Sequence, residues 1–165
     1  MSELREMAEG WLRGRACFVG VGNADRGDDG IGVRLAEALR DGLGAEVVLA
    51  GDAPERCLVS LVGGDHGAVV FLDAVDFGGE VGSVAVFSAP EIAARFPQVS
   101  THRLSLGTLA RLIEAEGGKR AWMLGVQPGS LEAGSGLSAA VRRTLDLLAG
   151  LFDAAGRAMA VGVRS

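Results

Sequence analysis

Residues 17–34, CFVGVGNADRGDDGIGVR, decide the fold of this 165-residue chain. The stretch begins as a short apolar run, turns through several glycines, and places two adjacent aspartates, Asp28 and Asp29, ahead of a segment with helical spacing. An apolar run followed by a helical pattern predicts a buried strand that leads into a helix. Such turns commonly hold phosphate at the start of the helix, so paired carboxylates at this point indicate a different ligand.

The same alternation of strand and helix continues along the chain. Strands are predicted over residues 17–22, 45–51, 67–76, 82–88 and 120–128, and helices over 2–12, 29–44, 54–64, 103–118 and 136–160, with a short helix or a turn over 89–96. This order predicts an α/β fold: a single three-layer domain over residues 1–165, with a twisted, mainly parallel sheet of about five strands and helices on both faces. The two strands within 67–88, joined by a short turn, are expected to pair and add an antiparallel strand.

Composition excludes several classes of function. The net charge is −5 and no basic run occurs, which argues against nucleic acid as a partner. Apolar runs stay shorter than the roughly 18 residues of a membrane span, and the charged amino terminus does not resemble a signal peptide. Cys17 and Cys57 are expected to be reduced, packed thiols of a cytoplasmic protein. Since no long exposed apolar stripe stands out, a monomer is expected.

Polar side chains follow the predicted strands at their carboxyl ends, where open parallel sheets bind ligands. These side chains are Asn23, Asp28, Asp29, Asp52, Asp73, Asp76 and Gln127. His102, one of two histidines, lies in a loop directly before a helix. The sequence therefore predicts a ligand site rich in carboxylates at this edge.

Nucleotide and nucleophile sites fit the sequence less well. The dinucleotide fingerprint would need a glycine where Asp25 stands, and Asp28 and Asp29 would repel the phosphate. No nucleophile elbow of the form G-x-S-x-G occurs. Cys57 is expected to pack against the sheet, and the neighbours of His102, Ser100 and Thr101, are expected to cap the next helix.

A divalent cation fits the carboxylate edge better. Asp28 is expected to cap its own helix, which leaves Asp29 either as a partner of the helix dipole or as a ligand. Asp73 ends the most apolar strand, where aspartate is unfavourable, so it either bonds to a turn or binds metal. Two carboxylates and the His102 imidazole suit zinc or nickel and leave positions open for water or substrate. Asp76 is expected to serve the adjacent turn.

His66 lies in the polar segment GGDHG. It is expected to be an exposed turn residue without a role in the site.

Four segments, in order, resemble the hydrogenase maturation endopeptidases. They are GVGNADRGDDGIGVRLAEAL (20–39), FLDAVDFGGEVGSV (71–84), STHRLSL (100–106) and LGVQPGSLEAGSGLS (124–138). The resemblance implies an endopeptidase that removes the C-terminal tail of a nickel-loaded NiFe-hydrogenase large-subunit precursor. The segment GDAPERCL (51–58) is similar to the branch that processes formate-hydrogenlyase-type hydrogenases.

The resemblance also implies a catalytic and metal-contacting set of Asp29, Asp73 and His102. Nickel would be supplied by the precursor, and zinc or cadmium could substitute in the isolated protein. Arg103 stands where the family usually has glutamine, which changes the hydrogen bonding around the histidine. The same residues also fit a non-proteolytic, nickel-dependent protein that binds the precursor as a chaperone.

Overall fold

The computed structural model describes residues 2–97 and 104–162. The strands are β1 (Cys17–Val21), β2 (Val47–Gly51), β3 (Ala68–Ala74), β4 (Val84–Ser88) and β5 (Arg120–Val126). The helices are α1 (Ser2–Arg13), α2 (Ile31–Leu43), α3 (Leu58–Gly63), α4 (Ala89–Arg95), α5 (Leu106–Gly117) and α6 (Ala139–Gly162). Short 3-10 turns over Gly27–Gly30 and Pro54–Cys57 precede α2 and α3. In the described residues, no helix is both long and apolar enough to cross a bilayer.

The five strands form one sheet in the order β2-β1-β3-β5-β4. All neighbours are parallel except β4, which runs antiparallel to β5. The predicted antiparallel strand is therefore present, but it pairs with β5 and not with the preceding strand β3, because β5 lies between them. The segment that joins them crosses the end of β5: the N–H of Val75 donates to the Val126 carbonyl, and that of Gly82 to Gln127. This crossing is long enough to place β4 on the outer side of β5.

Helices cover both faces of the sheet, which confirms the predicted layers. Side chains alternate along the strands, as the pleat requires, so Phe18, Val70 and Leu72 face one core and Val19 and Phe71 face the other. The first core is closed by α1, α2 and α6, and the second by α3, α4 and α5. Both faces are apolar, which explains why the strands are continuous apolar runs.

Glycines bring α2 close to the sheet. A Cβ on Gly20 would lie 2.9 Å from the Ala36 Cβ, and one on Gly32 would overlap the Leu72 carbonyl oxygen. Only a residue without a side chain allows this approach. The close packing fixes the start of α2, and with it Asp28 and Asp29, above the carboxyl ends of β1 and β3.

Candidate active site

The turn after β1 is folded back on itself. Gly22 has φ +115°, and a Cβ there would overlap the carbonyl oxygen of Asp29. The backbone N–H of Asn23 donates to Asp29 Oδ2 at 2.8 Å, which fixes the carboxylate of Asp29 at the edge of the sheet. The Asn23 side chain accepts from the Asp25 N–H at 2.8 Å and closes the turn. The glycine and asparagine therefore position an acid.

Asp28 does not cap α2, so this part of the sequence prediction is wrong. The residue lies in the 3-10 turn, and its fully buried side chain points away from the helix. Its carboxylate accepts four hydrogen bonds: from the N–H groups of Gly129 (2.8 Å), Ser130 (3.1 Å) and Ser138 (2.7 Å), and from the Ser138 hydroxyl (2.9 Å). Asp28 thus holds the loop between β5 and α6 in place.

The hydrogen bonds also set the ionisation of Asp28. Burial alone would raise the pKa of this carboxyl, but the bonds from Ser138, Gly129 and Ser130 outweigh it and lower the pKa. Hydrogen bonds to a charged form favour that form. Asp28 is therefore a buried, ionised anchor, and its charge is already satisfied.

Asp29 and Asp73 line one cavity of about 410 Å³ at the carboxyl ends of the strands. Three more acidic residues line it, Asp52, Glu55 and Asp76, and no described Lys, Arg or His does. Apolar side chains close one side, from Leu104, Leu106 and Leu131. Larger hollows of about 820 and 610 Å³ lie elsewhere and are mainly apolar. The acidic cavity therefore has the field to attract a cation.

The ionisation of Asp73 is unfavourable in this position. Burial raises its pKa well above the usual aspartate range, and the nearby charge of Asp29 raises it further, while the Ala74 N–H opposes the rise. The residue is half-buried and lines the cavity. A divalent cation between Asp29 and Asp73 would remove both penalties, because it favours the charged forms.

Asp76 serves the turn after β3, as predicted. Its Oδ1 accepts from the Gly78 N–H at 3.1 Å and from the Gln127 side-chain amide at 3.0 Å. Gln127 Oε1 in turn accepts from the N–H groups of Phe77 (2.9 Å) and Gly79 (3.1 Å). These bonds lower the pKa of Asp76, the Gln127 bond most. Gln127 thus orders the loop that borders the cavity.

His102, the third residue of the predicted set, lies outside the described residues, as do Ser100, Thr101 and Arg103. What the structure brings together is Asp29 and Asp73. Helix α5, which follows His102 in the sequence, is capped by Ser105, whose hydroxyl accepts from the Thr108 N–H at 3.1 Å. The predicted capping role of Ser100 and Thr101 lies outside the described residues, and the N-cap that the structure shows is Ser105.

His66 is buried, so its assignment to an exposed turn is wrong. It lies with Cys17 and Glu46 at the opposite end of the strands from the acidic cavity, and the three form a group with metal-ligand character. Burial, followed by the Glu46 charge, raises the pKa of Cys17 to about 12. The sequence carried one signal for this group, since each member begins or shortly precedes a strand.

Cys57 is half-buried and packs beside the second core, as expected.

Comparisons with known proteins agree on one family. A family model described as HycI, hydrogenase maturation protease, matches residues 33–152. The chain resembles the crystal structure of a NiFe hydrogenase maturation protease HycI from Thermococcus kodakarensis KOD1, with a TM-score of 0.77 and 29% identity over 92% of this chain and 99% of that one. The hydrogenase maturating endopeptidase HybD from E. coli gives 0.67 and 25%, over 91% and 92%. No curated protein sequence matches significantly.

Proposed function

Because the chain belongs to the hydrogenase maturation protease family, we propose that it is the endopeptidase that removes the C-terminal tail of a nickel-loaded NiFe-hydrogenase large-subunit precursor. One observation supports this function most directly: Asp29 and Asp73 line the same acidic cavity, and the pKa of Asp73 is raised. A cavity lined by acidic residues attracts cations, so it fits a substrate that carries a metal ion. The nickel belongs to the precursor and enters with it.

Each residue of the predicted set then has a role. Asp29, held by the Asn23 N–H, offers a carboxylate oxygen to the nickel of the precursor. His102 offers a nitrogen, and open positions remain for the scissile carbonyl or a water. Asp73 offers a second carboxylate oxygen to the nickel, whose charge offsets the burial and the Asp29 repulsion that raise the pKa of Asp73. Cleavage follows when the metal holds the peptide against these groups.

The alternative is a nickel-dependent chaperone that binds the same precursor without cutting it. Nickel-loaded precursor is incubated with the protein and its mass is measured. We expect a discrete loss of mass with the wild type and with Asp25→Asn, an exposed aspartate of the same turn. We expect at least a hundredfold slower cleavage with Asp29→Asn, Asp73→Asn or His102→Gln.

The same experiment separates the two functions. Precursor that is bound but never shortened would establish the chaperone. Normal cleavage by all three variants would show that the site is assigned to the wrong residues. Precursor without nickel should stay intact, because the two carboxylates then repel each other and nothing positions the peptide.

The substrate and the setting complete the proposal. The resemblance of segment 51–58 to the formate-hydrogenlyase branch supports a precursor of that class. Cys17 and Cys57 are free thiols, which supports a reducing compartment, the cytoplasm. We propose a monomer, which light scattering of the purified protein tests directly. Zinc or cadmium would bind the same carboxylates in the isolated protein.

A further inference from the structure

Three side chains with metal-binding atoms meet at the amino ends of three adjacent strands. Cys17 is the first residue of β1, Glu46 directly precedes β2, and His66 lies two residues before β3. Their ligand atoms all lie within 4.8 Å of one another. His66 lies before the start of β3 and Asp73 lies near its end. At the usual rise of about 3.3 Å per strand residue, the group is roughly 20 Å from the acidic cavity. The group is therefore separate from the active site.

The ring of His66 is oriented by its backbone partner. Nε2 lies 2.9 Å from the carbonyl oxygen of Leu61. A carbonyl only accepts, so Nε2 carries a proton and donates it. In the neutral ring, Nδ1 then has a free lone pair that points toward the other two residues. Metal-binding histidines are commonly fixed in this way, with the second ring nitrogen bonded to a carbonyl or carboxylate.

The other ring nitrogen of His66 is buried and makes no hydrogen bond. His66 is 6% exposed. Among the described residues, its Nδ1 is the one buried side-chain nitrogen or oxygen without a hydrogen bond. Leaving such an atom unpaired is unfavourable. A cation at this point would satisfy it.

The spacing of the donors suits a small tetrahedral ion. His66 Nδ1 lies 3.4 Å from Glu46 Oε1. Two ligands at the usual zinc–nitrogen and zinc–oxygen distances of about 2.0–2.2 Å lie about 3.4 Å apart on a tetrahedron. The Cys17 sulfur completes a mixed sulfur, nitrogen and oxygen set, which is the chemistry that zinc accepts. The Glu46 side chain is 56% exposed and provides the route of entry.

We propose that Cys17, Glu46 and His66 bind a zinc-class divalent cation, with a water in the fourth position. The ion joins the starts of β1, β2 and β3, so it stabilises the sheet. Binding replaces the thiol proton of Cys17, which passes to the solvent. Since the site is remote from the acidic cavity, it stabilises the fold and takes no part in cleavage.

Cobalt is the probe, because a thiolate ligand gives cobalt a charge-transfer band in the near ultraviolet. The full chain, carrying Asp29→Asn and Asp73→Asn to remove binding at the other edge, is titrated with Co²⁺ under reducing conditions. We expect one equivalent to produce the band and excess Zn²⁺ to remove it. Cys57→Ser, the matched cysteine control, should keep the band, and Cys17→Ser should lose it.

A second pair of variants avoids the buried core. Glu46→Gln lies at the surface, and we expect it to weaken cobalt binding at least tenfold without unfolding the protein. Asp65→Asn, whose carboxylate is 98% exposed beside His66, should bind as the parent does. At a hundredfold excess of zinc over its Kd, the unfolding midpoint should rise by about 5–10 °C.

Absence of the band in the parent would overturn the proposal. So would a band that survives Cys17→Ser, or unchanged affinity in Glu46→Gln. In either of these cases the metal would lie elsewhere on the chain.

Discussion

The adjacent acids Asp28 and Asp29 have different roles, and replacement of Asp28 by asparagine tests the structural one. In the best orientation the Asn oxygen keeps the bonds from Gly129, Ser130 and the Ser138 hydroxyl, but as neutral bonds. Its NH₂ group then faces the Ser138 N–H, which now donates to Oδ1 at 2.7 Å. Two buried donors then face each other, so the Ser138 N–H loses its acceptor.

The magnitude follows from these bonds. Loss of charge weakens three bonds by up to about 1 kcal/mol each, and an unsatisfied buried donor costs about 1–3 kcal/mol. The asparagine recovers part of this, because a neutral group is easier to bury. We expect Asp28→Asn to lower the free energy of unfolding by about 2–4 kcal/mol at pH 7, which corresponds to about 5–15 °C in the midpoint.

The assay is urea unfolding across a range of pH. Because the pKa of Asp28 is lowered in the folded state, its contribution is present above the usual aspartate pKa of about 3.9 and is lost as the pH falls through the folded value. The difference in unfolding free energy between the wild type and Asp28→Asn should shrink in that pH range. Asp25→Asn, an exposed control, should change stability by less than about 0.5 kcal/mol. A gap below this size at pH 7, or one independent of pH, would refute the anchoring role.

Three further predictions concern the cavity and its support. Asp73→Asn should raise the thermal midpoint at neutral pH, by about 2–4 °C per kcal/mol of removed penalty, while abolishing cleavage. Because the folded pKa of Asp73 is raised, the wild type loses stability as pH rises above the usual aspartate pKa, so this gain should vanish below it. Gly32→Ala should destabilise the fold by at least about 1–3 kcal/mol in urea unfolding, because its methyl would overlap strand carbonyls, whereas Gly10→Ala, with open space around it, should stabilise by about 0.5–1 kcal/mol. Gln127→Glu should lower the unfolding free energy by about 1–3 kcal/mol at pH 7, since a second carboxylate would face Asp76.

The fold was largely predictable because apolar runs and helical periods are local signals. All five strands and six helices in the described residues fall where the sequence pattern predicts them. The order of the strands was not predictable in the same way. Whether β4 pairs with β3 or β5 depends on how the crossing segment bonds to Val126 and Gln127, which are distant in sequence.

The roles of single polar residues were harder to predict. Asp28 and Asp29 are neighbours, and a 3-10 turn of a few residues decides which carboxylate reaches the distant Ser138 and which reaches the cavity. His66 sits in a polar, glycine-rich segment that reads as exposed, yet the end of α3 offers the Leu61 carbonyl and covers the ring. Contacts between residues far apart in the chain leave no repeating pattern in a single sequence, so the sequence does not predict them. That Asp29 and Asp73 lie near each other could be predicted, because the carboxyl ends of parallel strands meet at one edge of the sheet.

The central claim is that Asp29 and Asp73 jointly hold the nickel that the substrate brings. An anomalous difference map from crystals soaked in nickel tests it most directly. We predict a peak at the acidic cavity, about 2.0–2.3 Å from a carboxylate oxygen of each residue. A map in which nickel binds elsewhere, with both carboxylates bonded only to water or protein, would contradict the account.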